Sequence, residues 1–216
     1  MIELERAGTS WVMHFRSGEN RFNQSFVDEL NNSLDRIEGS GPPTALVTTG
    51  EGKFYSNGLD LDWLGAAPDA SGFLDEVHRL LVRVLLFPAV TVAAVNGHAF
   101  AAGAMLTCAH DFMIMRSDRG YWCLPEVDLG LPLTPVMHAV VAARLPRVTL
   151  HEAVTTGRRY AGADAVAAQI ARAYVPESEV LPNAIALATE LAGKNHEVVA
   201  AHKRLMYSDV ARLVGA

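Results

Sequence analysis

The sequence predicts an α/β fold made of parallel β-α units. Short apolar runs at residues 44–49, 90–95, 112–116 and 173–175 alternate with longer segments whose apolar residues recur at helical spacing. Half of the 216 residues are hydrophobic, enough to bury a sizeable core without metals or disulfides.

Residues 2–16 alternate in polarity around Gly8-Thr9 and predict a β-hairpin. Phe26, Leu30, Leu34 and Ile37 share one helical face across residues 24–38, with Asn23 as the N-cap. Residues 39–43 break the chain before the buried strand 44–49, and a glycine-punctuated loop covers 50–58. A short helix starts over 59–64, followed by a mobile Ala/Pro/Gly/Asp stretch to Gly72. An amphipathic helix at 73–87 is closed by Pro88. The strand at 90–95 ends at Asn96-Gly97 and passes through small residues straight into an apolar helix. After the strand 112–116, residues 124–132 are turn-rich and 135–145 form an apolar helix ending at Pro146. Short helices follow at 149–155 and 163–170, with Thr149 and Asp164 as caps, then the strand 173–175 and terminal helices at 180–192 and 196–214. The chain divides into a core, 1–176, and a C-terminal helical region, 177–216, that packs on the body, over the site or against another subunit.

Eighteen basic against 24 acidic residues, with no basic run, argue against a nucleic-acid surface. Cys108 and Cys123 lie in apolar settings and read as buried thiols of an intracellular chain. Met1 leads directly into the first strand, and every long apolar stretch is interrupted by charges, prolines or glycines. A cytoplasmic protein with no membrane partner is therefore expected.

Three loops at strand ends carry the candidate chemistry: Phe54-Tyr55-Ser56-Asn57-Gly58-Leu59-Asp60-Leu61, the run from Asn96 to Leu106, and Leu124-Pro125-Glu126-Val127-Asp128-Leu129-Gly130-Leu131-Pro132. Strand ends are where α/β folds place ligands. The small residues before the helix leave its first N–H groups open to an anion that forms during a reaction.

In this order and spacing the three segments resemble the crotonase superfamily, the enoyl-CoA hydratase/isomerase family, across residues 2–207. Within it the Ser-Asn-Gly-Leu-Asp-Leu and Pro-Glu-Val-Asp-Leu-Gly-Leu-Pro runs are most similar to the Δ3,Δ2-enoyl-CoA isomerases. The resemblance implies a spiral of ββα units with helical C-terminal parts and assembly as a homotrimer or dimer of trimers. It also implies an acyl-CoA thioester substrate, with no cofactor beyond the coenzyme A which that substrate carries. Matched residue by residue, it assigns two oxyanion-binding N–H groups to Leu59 and Ala102. Ala102 departs from the usual glycine; its N–H survives, with less φ/ψ freedom.

Hydratases of the family use two glutamates. Their positions match Met105, which carries no proton, and Glu126. Water addition calls on both carboxylates, whereas moving a double bond needs one base that removes a proton from C2 and returns it at C4. The expected activity is Δ3,Δ2-enoyl-CoA isomerisation. The alternatives are an enoyl-CoA hydratase, another thioester lyase or hydrolase on the same scaffold, and a non-catalytic acyl-CoA-binding protein. One oxyanion donor is worth about 3–4 kcal/mol, and a positioned base roughly a hundred- to ten-thousandfold in rate. For Glu126 to serve, Leu124, Val127, Leu129, Leu131 and Met105 should keep it dry and raise its pKa.

The resemblance also places coenzyme A and the acyl chain along Lys53, Phe54, Ser56, Asn57, Gly58, Asp60, Leu61, Gly103 and Met105. Lys203, beside Arg204 on the last helix, is a candidate for the phosphates, the alternative being a solvated helix face. Asp60, Asp62 and Asp128 lack histidine-rich spacing and read as helix-start charges rather than metal ligands. Ser56 has no nucleophile elbow around it. His98, Tyr121 and Trp122 read as packing or pocket residues.

Overall fold

Residues 1–41 and 45–215 are described by a computed structural model. Strands β1 (Ile2–Ala7) and β2 (Ser10–Phe15) form the expected hairpin, antiparallel from Ile2↔Phe15 to Ala7↔Ser10. Parallel strands β3 (Leu46–Gly50), β5 (Thr91–Val95), β7 (Phe112–Arg116) and β9 (Ala173–Val175) extend that hairpin in the order β1-β2-β3-β5-β7-β9. Thr44, the expected first residue of β3, lies outside the described residues.

The sheet is buried on both faces, and the side-chain alternation of its strands shows it. Met13, Leu46, Ala93, Val95, Met113 and Met115 face one core. Their neighbours Val12, Val47, Val92, Ala94 and Ile114 face the other. The larger core is roofed by helices α1 (Gln24–Gly39), α3 (Ala70–Leu85), α4 (Ala102–Cys108) and α6 (Pro135–Ala142). As expected, Asn23 caps α1 by accepting from the Phe26 N–H. Helix α9 (Glu177–Leu191) lays Val180, Ala184 and Ala188 on the second face. It is thus a layer packed on the body of the fold.

A second parallel sheet, β4-β6-β8, consists of β4 (Phe54–Ser56), β6 (His98–Phe100) and β8 (Trp122–Cys123). The sequence reading placed residues 54–56 in a loop and 98–100 in the passage into a helix and assigned no element to 122–123, because strands of two or three residues are too short to display a period of two. Each follows a strand of the large sheet, so β3-β4, β5-β6 and β7-β8 feed α2 (Leu61–Ala66), α4 and α5 (Glu126–Leu129) in successive ββα turns. This is the expected spiral.

Other boundaries move for local reasons. Helix α3 begins at Ala70, inside the stretch expected to be mobile, because the Asp69 side chain accepts from the Gly72 N–H. Helix α7 (Arg147–Thr156) starts directly after Pro146, so Thr149 is internal, its hydroxyl donating to the Ala168 carbonyl at 2.8 Å. Asp164 sits inside α8 (Gly162–Ala167) and does not cap it. The single terminal helix expected at 196–214 breaks at Tyr207 into α10 (His196–Met206) and α11 (Ser208–Arg212). Among the described residues no helix is long and apolar enough to cross a membrane.

Candidate active site

Backbone alternation aims the first N–H donor. Phe22 bridges to Leu59 in parallel fashion: the Phe22 N–H donates to the Gly58 carbonyl at 2.8 Å, and the Asp60 N–H donates to the Phe22 carbonyl at 3.0 Å. In extended chain successive N–H groups point to opposite sides, so the Leu59 N–H faces away from Phe22. Leu59 lines a cavity of about 560 Å³ together with Ala102, Met105 and Glu126 among others.

The second donor comes from α4. Ala102 is its first residue, and the N–H of a first helical residue has no acceptor within its own helix. The turn before it is bent by Ala101 at φ +49° and ψ −123°, a conformation that favours glycine. The conformational demand thus falls on Ala101, one residue before the position at which the sequence had located it. The two loops touch. A Cβ placed on Gly58, at φ +83°, would come within 2.7 Å of the Ala101 Cβ and 3.2 Å of the Ala102 nitrogen. A Cβ on Gly103 would lie 2.5 Å from the Ser56 carbonyl oxygen, so glycine there lets α4 pack directly on β4.

Glu126 opens α5, and its Oε2 is buried with no hydrogen-bond partner. Desolvation pushes its pKa above the ordinary carboxylate value, against a smaller lowering by its own backbone N–H. Leu129, Leu131 and Met105 wall the cavity around it, and Leu124 is fully buried. Val127, expected among them, is exposed and does not line this cavity. Met105, also buried, lines the same cavity. The other carboxylate lining the cavity, Asp62, is an exposed residue of α2.

Asn57, Gly58, Leu59, Leu61, Ala102, Gly103, Met105 and Glu126 therefore gather at or directly behind one cavity. Ser56 does not line it. Its hydroxyl is fully buried, donating to the Asn20 carbonyl at 2.7 Å and accepting from the Gly58 N–H, so it supports the loop from behind. Asp60 caps α2 through the Trp63 N–H and faces a separate polar groove of about 680 Å³. Lys53 lines a third cavity of about 210 Å³ with Arg116 and Arg119, its ammonium 5.0 Å from the Phe54 ring centre. Phe54 packs on His98, which also contacts Phe100 and Tyr121 and accepts from the Tyr121 N–H. Trp122 is in the core, its indole N–H donating to the Thr107 hydroxyl at 3.0 Å.

Lys203 is a correction. It is 5% exposed, and its ammonium donates to the carbonyls of Phe87 and Ala89 and to Asp111 Oδ2 at 2.7–3.0 Å. All three donors are taken, leaving none for a phosphate. Arg204, beside it, is exposed. Among the described residues no cluster of His, Cys, Asp or Glu is arranged to hold a metal ion.

The sequence reading missed the loop from Glu19 to Phe22. Asn20, at φ +50°, donates from its side chain to the Tyr55 carbonyl at 3.0 Å. Glu19 accepts from the Asn57 amide at 2.9 Å and from Arg21 at 2.6 Å, and Arg21 lines the main cavity. An asparagine between a strand and a helix N-cap was the available signal, since asparagine tolerates left-handed backbone.

The enoyl-CoA hydratase/isomerase family model matches residues 9–214. Enoyl-CoA delta isomerase 3 of Arabidopsis thaliana is 32% identical across 99% of this chain and 95% of that protein. A putative enoyl-CoA hydratase of Thermus thermophilus is 29% identical across 89% of this chain and 78% of that protein. The solved apo structure of a Mycobacterium tuberculosis enoyl-CoA isomerase superposes with a TM-score of 0.92 at 27% identity, covering 99% of this chain and 93% of that one. With the ββα spiral and the paired donor loops already in hand, these matches show that the chain belongs to the enoyl-CoA hydratase/isomerase family, the crotonase superfamily.

Proposed function

We propose that the protein is a Δ3,Δ2-enoyl-CoA isomerase, moving the double bond of a 3-enoyl-CoA to the 2-trans position. Glu126 takes the proton from C2. The thioester oxygen becomes an enolate oxygen held by the Leu59 and Ala102 N–H groups, and the protonated Glu126 returns the proton at C4. Relatives carry both hydratase and isomerase names, so the choice rests on the site. The observation that carries it is a desolvated carboxylate, Glu126, in one cavity with a buried Met105. A side chain without a proton there neither holds nor activates a water, whereas a single mobile proton suffices for the shift.

The acyl chain would run among Leu61, Leu64, Leu74 and Met137. Lys53 and Arg119 are the cations proposed to meet the coenzyme A phosphates, because the larger groove carries Glu19, Glu29, Asp60 and Asp62, which repel them. The chemistry draws on no group beyond the coenzyme A of the substrate. Following 2-enoyl product from 3-enoyl-CoA, beside hydration of 2-enoyl-CoA, tests the reading. Isomerisation should be measurable and hydration slow or absent; fast hydration without isomerisation overturns it.

A further inference from the structure

A line of three buried polar side chains behind the active site takes no part in the proton transfer. The Tyr55 hydroxyl lies 2.7 Å from Thr48 Oγ1, which lies 2.9 Å from His110 Nε2, while His110 Nδ1 lies 2.8 Å from the Leu106 carbonyl. All three residues are buried.

One arrangement of hydrogens satisfies every group. A carbonyl only accepts, so His110 Nδ1 carries the proton and donates to Leu106. Burial holds the imidazole pKa down to about 4, so near neutral pH Nε2 is a bare acceptor. The Thr48 hydroxyl therefore donates to it, and Tyr55 donates to Thr48. The chain runs in one direction with no alternative.

Its ends matter. Tyr55 belongs to β4, four residues before Leu59, and Leu106 belongs to α4, four residues after Ala102. The line thus ties the strand that delivers one N–H donor to the short helix that delivers the other. We propose that Thr48, with Tyr55 and His110, is a positioning residue that sets the separation of the Leu59 and Ala102 N–H groups. This rests on the oxyanion-binding role given to those two groups above.

The test compares Thr48→Val, which keeps the shape and removes the hydroxyl, with Thr48→Ser, which restores it. Two readouts are taken: kcat and KM for isomerisation, and the infrared carbonyl stretch of a saturating bound acyl-CoA. A sub-ångström to ångström misplacement of reacting groups costs on the order of a hundredfold. Thr48→Val should lower kcat roughly ten- to a hundredfold with KM changed by less than about threefold, and should lose much of the carbonyl shift. Thr48→Ser should recover both. A folded Thr48→Val variant with wild-type kcat and carbonyl shift overturns the positioning role alone. A wild-type protein that binds thioester with no carbonyl shift overturns the oxyanion reading and this proposal with it. Should Thr48→Val not fold, Tyr55→Phe, which keeps the Thr48–His110 bond, carries the same expectations and the same refutation.

Discussion

A carboxyl group loses hydration when apolar neighbours close around it, and its neutral form gains relative to the ion. At Glu126 this has opposite effects on activity and stability. As a base it must be ionised, so kcat/KM should fall along an acid limb whose midpoint lies above the ordinary glutamate value of 4.5. A midpoint at or below that value in a pH–rate profile contradicts the burial account. For stability, the folded state binds this proton more tightly than the unfolded chain. The side chain's contribution is therefore fully present below the ordinary pKa and is lost as pH rises through the raised one. Glu126→Gln should then cost roughly a hundred- to ten-thousandfold in kcat while raising the melting temperature at neutral pH. That gain should vanish on acidification, as thermal unfolding across pH would reveal. Ala101 offers a second residue-scale check. Its φ of +49° strains an L side chain by on the order of 1–3 kcal/mol, against roughly 0.5–1 for the extra freedom of an unfolded glycine. Ala101→Gly should stabilise the protein by about 1 kcal/mol in denaturant titration; a loss of stability would contradict the strain.

Elements hold these residues where chemistry can use them. The segment from Glu19 to Phe22 acts as an extra backbone partner along residues 57–60, and its hydrogen bonds on either side of Leu59 turn that N–H toward the cavity. Nothing in the periodicity of residues 17–23 announces such pairing, because it is made across more than thirty positions of sequence. Helix α10 gives the opposite lesson. Lys203 was read from the sequence as a candidate for the phosphates or as part of a solvated helix face, yet the helix turns it inward. There it joins the Phe87 and Ala89 carbonyls to Asp111, which also accepts from the Thr91 backbone and hydroxyl. Its pKa is lowered by desolvation, and Asp111 offsets part of that. Removing one partner of a buried pair leaves the other charge uncompensated, at about 3–5 kcal/mol. Lys203→Met should destabilise by roughly that amount in equilibrium unfolding while the folded protein keeps its affinity for acyl-CoA. A stable variant with weakened acyl-CoA binding would restore the phosphate role.

At the scale of the molecule, several large apolar side chains remain on the surface, with Leu205, Met206 and Leu213 on or beside the terminal helices and Leu129 and Leu131 beside the cavity. A homotrimer or dimer of trimers that covers them is the proposed assembly, and light scattering should give a mass three or six times that of the chain; a monomer at micromolar concentration would exclude it. The β-hairpin, strands β5, β7 and β9, helices α1 and α3 and the three loops at strand ends that meet at one cavity were legible in the residues. Burial and helical spacing leave their mark within a dozen positions, and the Gly58 and Glu126 segments keep the family's pattern while the Ala102 segment departs from it at Ala102 and Met105. The strands of the small sheet, the support from Asn20 and Ser56, the inward turn of Lys203 and the strain at Ala101 were not. They arise where segments distant in the chain meet, and a local pattern carries no record of its partner. What the sequence determined by itself is where the longer helices and the strands of the large sheet form and which residue types stand at the strand ends, since hydrophobic period and side-chain chemistry are local properties. Only the tertiary structure decided where each N–H and each charge points, because direction is set by the hydrogen bonds and packing of neighbours brought together by the fold.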